Sequence, residues 1–146
     1  TMAQLFEFAG NHPFLVGSLV LIIVLVIVNE IRLKAAGPEL APADAVRLIN
    51  DGATVLDVRP AAQYADGHIV GARSVPLGEL GGKLDGLTKK KDRPVLVYCE
   101  LGSQSAKAAA TLRQAGFSQV LHLKGGLAAW QRDNLPLATG KKPKKA

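Results

Sequence analysis

The sequence predicts an α/β domain, built on a parallel sheet with helices on both faces, that follows a single transmembrane helix. Two observations predict the domain: short apolar runs of four or five residues, such as Thr54–Val58 and Val95–Tyr98, and helical patterns between them. Continuous apolar runs are typical of strands buried on both faces, and intervening helices are typical of parallel sheets. A third observation predicts the membrane helix: 22 residues without a charged side chain lie between Glu7 and Glu30.

Residues 1–34 are expected to form the membrane anchor. Residues 9–28 supply the roughly 20 helical residues that a bilayer core of about 30 Å requires. The segment before this run carries only Glu7 and lacks the positive charge of a cleaved signal peptide, and the run lacks the polar stripe of a core helix. Arg32 and Lys34 follow the span, which predicts that the C-terminal side faces the cytoplasm.

Net charge and cysteine content exclude several classes of function. The chain carries +6, but twelve basic and nine acidic side chains lie between Ala41 and Gly140, and such a nearly balanced domain does not predict a nucleic-acid groove. A single cysteine excludes an intrachain disulfide and a CxxC metal site. Four lysines lie in the last six residues, and residues 139–146 are expected to be a disordered basic tail.

The first half of the domain begins after a short linker, residues 35–38. Pro42 and Asp44 suit the first turn of a helix that ends near Gly52. The strand Thr54–Val58 follows, then a helical turn at Pro60–Tyr64 and a loop rich in glycine and proline. The domain is expected to span residues 39–138.

The second half of the domain repeats the alternation of strands and helices. Lys89–Arg93 is a charged run that we expect to be solvated. The elements predicted after it are the strand Val95–Tyr98, the helix Ser105–Ala115, the strand Val120–Leu123 and the helix Leu127–Asn134.

Cys99 is the candidate for chemistry because it ends a predicted strand and precedes a loop that enters a helix. In open α/β sheets, binding sites form at the carboxyl ends of strands. Backbone N–H groups near Gly102 and Ser103, with the positive end of the following helix, would favour the thiolate over the thiol. Such a sulfur is a nucleophile or a carrier of a terminal sulfur; the alternative is a small buried apolar cysteine.

Other polar or aromatic residues are expected to have structural roles. Asp57 and Arg59 lie where the chain leaves the first long strand and could line the site, but an ion pair or hydrogen bonds that tie loops together are favoured. We expect His68 to make a structural hydrogen bond, His122 to pack within its strand and Trp130 to pack in the core.

Several ordered motifs resemble those of the rhodanese family over Glu39 to Pro136. The similar segments are Leu56–Arg59, Tyr64, Gly67–Pro76, Val95–Cys99 with a loop of six residues, Gly116–Phe117, Leu123–Trp130 and Leu135–Pro136. The resemblance implies a rhodanese-like parallel sheet flanked by helices on both faces. It also implies a sulfurtransferase, in which Cys99 takes sulfane sulfur from a small donor as a persulfide and passes it to a thiol acceptor, protein thiols included. Such an enzyme is expected to need neither a metal nor an organic cofactor.

An anchor followed by one rhodanese domain also resembles single-pass proteins of the bacterial inner membrane. The residues expected to bind the substrate are those of the loop: Glu100, Leu101, Gly102, Ser103, Gln104 and Ser105. Phosphatase relatives of the fold use a longer loop that ends in arginine, so phosphate ester hydrolysis is not expected.

Two positions of the loop depart from the pattern of active rhodaneses. Gln104 stands where an arginine is frequent, and Glu100 stands where a basic or neutral residue is frequent. Without a charged hydrogen bond worth about 1.5–3 kcal/mol, use of an anionic donor such as thiosulfate would fall roughly ten- to hundredfold. The second hypothesis is therefore a catalytically weak or inactive adaptor that binds partner proteins at the membrane.

Overall fold

The computed structural model describes residues 1–87 and 89–141, except for the side chain of Leu33. Most of the predicted tail, residues 142–146, therefore lies outside the described residues. The chain divides into two compact units, residues 1–34 and the residues from Ala35 onward.

The described residues form seven helices and seven strands, with one 3-10 turn at Leu77–Glu79. The helices are α1 (Met2–Asn11), α2 (Pro13–Ala36), α3 (Pro42–Asn50), α4 (Ala61–Asp66), α5 (Leu80–Leu87), α6 (Ser103–Gln114) and α7 (Gly126–Arg132). The strands are β1 (Glu39–Leu40), β2 (Thr54–Asp57), β3 (His68–Ile69), β4 (Arg73–Ser74), β5 (Val95–Tyr98), β6 (Val120–Leu123) and β7 (Leu137–Ala138).

The N-terminal unit differs in detail from the single span expected over residues 9–28. The chain forms two helices there, because Pro13 has no backbone N–H to donate and begins a new helix. Helix α2 then continues for 24 residues to Ala36. The non-helical connection to β1 is consequently Gly37 and Pro38, shorter than the linker expected over residues 35–38.

The domain is built on a five-stranded parallel sheet with the strand order β1-β6-β5-β2-β4. A separate antiparallel pair joins β3 to β7. Strands β2 and β5 are neighbours, and Asp57 lies opposite Tyr98, so the chain leaves both strands at the same edge of the sheet. The predicted α/β class is confirmed.

Side chains alternate between two cores, one on each face of the sheet. In β5, Val95 and Val97 join a cluster that α5 and α6 cover, whereas Leu96 and Tyr98 join a cluster with residues of α3, α4 and α7. Cys99 continues the alternation on the α6 face. The side chain of Cys99 therefore lies on the same face of the sheet as the helix that follows it, and helices cover both faces as predicted.

Several elements were not predicted from the sequence. Helix α5 occupies part of the segment after Pro76 where no element was expected, and β1, β3, β4 and β7 have two residues each. Helix α6 begins at Ser103 instead of Ser105, because Gly102 adopts a φ of +109° and turns the chain directly into the helix. Helix α7 ends at Arg132, before the expected Asn134.

Candidate active site

The candidate site lies where β2 and β5 end side by side. Cys99 directly follows β5, and the N–H of Val58 donates to the carbonyl oxygen of Tyr98 at 3.1 Å, which extends the pairing beyond the strands. Arg59 comes next in the chain. Adjacent parallel strands thus bring the sulfur and the guanidinium to one edge of the sheet.

The sulfur of Cys99 is held among polar groups of its own loop and of α6. The N–H of Gly102 donates to Sγ at 3.0 Å, and the hydroxyl oxygen of Ser105 lies 3.6 Å from Sγ. The same hydroxyl donates to the carbonyl oxygen of Gly102 at 2.9 Å. Cys99 is only 2% exposed. An N–H directed at the sulfur stabilises negative charge on it, which suits a nucleophile or a persulfide.

Two carbonyl groups at the start of the loop are bound by the start of α7. The carbonyl oxygens of Cys99 and Glu100 accept from the N–H groups of Leu127 at 2.8 Å and Ala128 at 3.1 Å. Gly126 permits this approach: its φ is +61°, and a Cβ atom there would lie 2.5 Å from each of the two carbonyl oxygens. Because α7 binds these two carbonyls, it fixes the start of the loop that carries the N–H of Gly102.

A pocket of about 520 Å³ opens beside Cys99. This volume is in the range of small-molecule binding sites. Four residues of the predicted loop line it besides the cysteine, namely Glu100, Leu101, Ser103 and Gln104. The other lining residues come from elements on either side: Arg59, Pro60, Gln63, Asp66, Gly67, Leu127, Gln131 and Leu137.

Arg59 forms a buried ion pair and also reaches the pocket. Its Nη2 lies 2.7 Å from Oδ2 of Asp57, and these two side chains are 4% and 0% exposed. Its Nη1 donates to Oε2 of Glu100 at 3.1 Å, and its Nη2 donates to the carbonyl oxygen of Gly67 at 2.7 Å. Burial lowers the pKa of Arg59, but the hydrogen bonds and charge of Asp57 outweigh it, so the pKa is raised.

The expectation for Arg59 was therefore incomplete. The predicted ion pair with Asp57 is present, but the guanidinium also lines the pocket and pairs with Glu100. The signal in the sequence was its position just after a strand. The neighbouring strand could not be identified from the sequence alone.

The loop residues predicted to bind substrate occupy two kinds of position. Glu100, Leu101, Ser103 and Gln104 line the pocket, and Leu101 is 72% exposed at its edge. Ser105 is fully buried against the sulfur of Cys99, and the backbone N–H of Gly102 contacts the same sulfur. Glu100, Leu101, Ser103 and Gln104 are therefore placed to bind a substrate, whereas Gly102 and Ser105 are placed to stabilise the sulfur.

The remaining polar residues pack within the domain. Nδ1 of His68 lies 2.8 Å from the carbonyl oxygen of Tyr64, a structural hydrogen bond as expected. His122 is 3% exposed, and burial lowers its pKa although Glu39 acts to raise it. Nε1 of Trp130 donates to the carbonyl oxygen of Pro136 at 3.0 Å within the core. Among the described residues, no group of three or more His, Cys, Asp or Glu side chains is arranged to hold a metal ion.

Known proteins of the family suggested by the sequence motifs are similar to most of this chain. The family model described as a rhodanese-like domain matches residues 41–133. The protein YibN of Escherichia coli strain K12 is 36% identical over 143 residues, which cover 96% of this chain and all of YibN. A protein named sulfurtransferase from Allochromatium vinosum is 36% identical over 110 residues, 75% of this chain and 94% of its own length.

The fold is also found in solved structures. The crystal structure of a rhodanese-related protein from Thermoplasma volcanium superimposes with a TM-score of 0.63 at 30% identity, covering 69% of this chain and 97% of that one. The family match spans the strand that Cys99 follows, the loop after it and the helix start that binds the loop carbonyls. The chain belongs to the rhodanese-like domain family.

Proposed function

We propose that this chain is a sulfurtransferase that carries sulfane sulfur as a persulfide on Cys99. The observation that carries the proposal is the position of Sγ, 3.0 Å from the N–H of Gly102 and beside a pocket of about 520 Å³. The thiolate attacks the outer sulfur of a donor, a bond forms between the two sulfurs, and the donor leaves with the electron pair of its broken bond. The terminal sulfur then passes to a thiol acceptor by the same kind of displacement, and Cys99 returns as thiolate.

The surroundings of the sulfur support both displacements. The N–H of Gly102 holds negative charge on the thiolate and on the persulfide that replaces it. The hydroxyl of Ser105 can rotate from the carbonyl of Gly102 toward the sulfur. Because Cys99 is 2% exposed, donors and acceptors must reach the sulfur through the pocket, which favours a small molecule or an extended thiol of a protein.

Intact mass spectrometry tests the proposal. The full chain, purified in detergent, is incubated with thiosulfate and with organic persulfides. A gain of about 32 Da, the mass of one sulfur atom, is expected on the wild-type chain and is removed by dithiothreitol. The Cys99→Ser chain should gain nothing. If no donor tried adds this mass to the wild-type chain, the proposal fails.

The second part of the proposal is that α2 anchors the domain to the inner membrane as a single span, with the domain in the cytoplasm. Among the described residues, one helix, Pro13–Ala36, is long and apolar enough to cross a membrane, with a mean hydropathy of 2.7 over its best window. At about 1.5 Å per residue, 24 residues exceed the bilayer core. Arg32 and Lys34 near its C-terminal end favour a cytoplasmic domain.

Fractionation and protease treatment test the anchor and its orientation separately. We expect the chain to stay with membranes after alkaline carbonate extraction. In spheroplasts the domain should resist added protease, and in inverted vesicles it should be digested. Release by carbonate contradicts the anchor, whereas digestion in intact spheroplasts contradicts the orientation.

The adaptor hypothesis retains one specific observation in its favour. The carboxylate of Glu100 forms an ion pair with the guanidinium of Arg59, and Gln104 supplies no positive charge at the pocket. A dianionic donor therefore meets no free cation from these residues. The Cys99→Ser chain separates the hypotheses. Partner binding and cellular phenotype that survive this substitution support the adaptor; phenotypes lost together with the persulfide support sulfur transfer.

A further inference from the structure

The ionisable side chains around the pocket are predominantly acidic. Among the described residues that line it, Arg59 is the one cation, whereas Asp66 and Glu100 are anions. Arg59 is already matched by the buried carboxylate of Asp57 at 2.7 Å. Glu100 and Asp66 therefore leave the walls with excess negative charge even before the thiolate of Cys99 is counted.

Glu100 also occupies the donor of Arg59 that an anionic substrate would need. Nε and Nη2 of Arg59 are bound to Asp57 and to the carbonyl oxygen of Gly67, and Nη1 donates to Oε2 of Glu100 at 3.1 Å. The carboxylate of Glu100 is 52% exposed, so it lies at the solvent side of this pair. An incoming anion would compete with Glu100 for Nη1 while approaching a second negative charge on the sulfur.

We propose that Glu100 selects the charge of the sulfur donor, which is a small organic persulfide with a neutral or cationic body instead of thiosulfate or a carboxylate-bearing persulfide. This inference rests on the proposed function. Like charges brought together in a partly desolvated site oppose binding, whereas a cation is attracted. The volume of about 520 Å³ accommodates a small organic molecule, and Gln104 offers it an uncharged amide.

The transfer balances without an oxidant or a reductant. The thiolate of Cys99 attacks the outer sulfur of R–S–SH, and the S–S bond of the donor breaks. Its electron pair goes to the inner sulfur, which takes the proton from the transferred sulfur and leaves as R–SH. Cys99 is left as the anionic persulfide, next to the N–H of Gly102.

Two persulfides that differ in charge and react by the same displacement test the inference, and their different intrinsic rates cancel when the ratio is compared between variants. The persulfide of cysteamine carries an ammonium group, and that of mercaptopropionate carries a carboxylate. The rates at which each adds one sulfur to the full chain in detergent are measured by mass spectrometry, and their ratio is compared between variants. Because both donors react with the same thiolate, a change in ionisation of Cys99 cancels in this ratio.

Glu100→Gln should shift the ratio about tenfold in favour of the carboxylate donor, since it removes one charge and frees Nη1 of Arg59. Glu79→Gln is the matched control: Glu79 is 56% exposed and paired with Lys83, much as Glu100 is 52% exposed and paired with Arg59. It makes the same change in net charge away from the pocket and should leave the ratio unchanged. Gln104→Arg, which adds a cation at the pocket, should shift the ratio in the same direction as Glu100→Gln.

The outcomes separate this inference from the proposed function. A wild-type chain that gains sulfur, with a ratio unaltered by Glu100→Gln and by Gln104→Arg, overturns the inference and leaves the proposed function intact. An equal shift with Glu79→Gln also overturns it, because the effect would then belong to the net charge of the domain. A wild-type chain that gains no sulfur from either donor overturns both.

Discussion

The loop after Cys99 lies against the starts of two helices, and the two use their backbone differently. At α6, the N–H of Gly102 is directed at the sulfur. A Cβ atom built on Gly102 would have its nearest neighbour at 3.7 Å, so the glycine itself is not crowded. At α7, the N–H groups of Leu127 and Ala128 bind the carbonyls of the loop, and Gly126 has no room for a Cβ atom. The first helix start acts on the reactive atom, whereas the second fixes the loop that carries it.

This difference predicts that substitutions at the two glycines have separable effects. Crowding at Gly126 should mainly lower the free energy of unfolding. A change at Gly102 should mainly lower the rate of persulfide formation on Cys99. The chain has a single tryptophan, Trp130, which is 3% exposed within the domain, so its fluorescence reports unfolding of the domain alone.

The largest effect is expected for Gly126→Ala. The new Cβ would lie 2.5 Å from the carbonyl oxygens of Cys99 and Glu100, at a φ of +61° that favours glycine. Strain and crowding together should lower the free energy of unfolding by about 3 kcal/mol or more. Thermal unfolding of the full chain in detergent, followed by Trp130 fluorescence, measures the loss.

Gly52→Ala is the matched control for this substitution. Gly52 has a φ of +94°, but nothing lies within 4 Å of a Cβ atom built there. It should cost only the backbone strain of about 1–2 kcal/mol. Equal losses at Gly126 and Gly52 would contradict the close packing of α7 against the loop.

Gly102→Ala should have a smaller effect on stability and a larger one on the chemistry. A Cβ atom there meets nothing closer than 3.7 Å, so only the strain at a φ of +109° is expected, about 1–2 kcal/mol. Relief of that strain turns the N–H away from Sγ. Persulfide formation should slow by about tenfold, because a charge-assisted hydrogen bond is lost. The rate of loading is measured by mass spectrometry at a temperature where the variant stays folded. An unchanged rate would contradict a role of the Gly102 N–H in stabilising the charge on Sγ.

Ser105→Ala is expected to act less strongly than Gly102→Ala on the rate of loading. The hydroxyl lies 3.6 Å from Sγ and donates to the carbonyl oxygen of Gly102, so its loss costs about 1 kcal/mol of stability and one polar neighbour of the sulfur. Ser105→Thr retains the hydroxyl and should recover most of the loading rate. If the threonine variant loads sulfur no faster than the alanine variant, the hydroxyl has no role at the sulfur.

The smallest effect concerns His122, which lies away from the pocket on β6. Burial lowers the pKa of His122 below its ordinary value of 6.5. As the pH falls below about 6.5, the unfolded chain takes up a proton that the folded domain does not, so stability falls until the lower folded-state pKa is reached. Above that range the contribution is fully present.

His122→Gln removes this part of the pH dependence. Denaturation curves of the wild-type and variant chains, followed by Trp130 fluorescence between about pH 5 and pH 8, should diverge in slope only on the acidic side. Parallel curves across the whole range would contradict the burial of a neutral His122.

The sequence was sufficient to predict the elements with strong local patterns. Strands β2, β5 and β6 are short and mainly apolar, and Cys99 directly follows β5, so both the class of fold and the position of the sulfur could be predicted. Helix α5 was missed because Gly81, Gly82 and Gly86 are unfavourable within helices. The two-residue strands are too short to show a pattern of apolar and polar residues, and they are defined by their hydrogen bonds to neighbouring strands.

The environment of the sulfur was predictable only in part. The N–H groups of the loop follow from its position before a helix, but the contact of Arg59 with Glu100 depends on two loops that are 41 residues apart in sequence. Contacts of this kind are set by the order of strands in the sheet. The prediction that Gln104 and Glu100 weaken the use of an anionic donor therefore lacked one effect of Glu100, the hydrogen bond to Nη1 of Arg59.

The most direct test of the account follows one sulfur through the full chain. The wild-type protein is loaded from a donor with isotopically labelled sulfane sulfur, freed of donor and mixed with a small thiol acceptor. We expect one labelled sulfur per chain on Cys99 before mixing, its loss from Cys99 on mixing and its appearance on the acceptor, with no transfer by the Cys99→Ser chain. Transfer by the Cys99→Ser chain, or a labelled Cys99 that never yields its sulfur to any thiol, would contradict the role of Cys99 as a sulfur carrier.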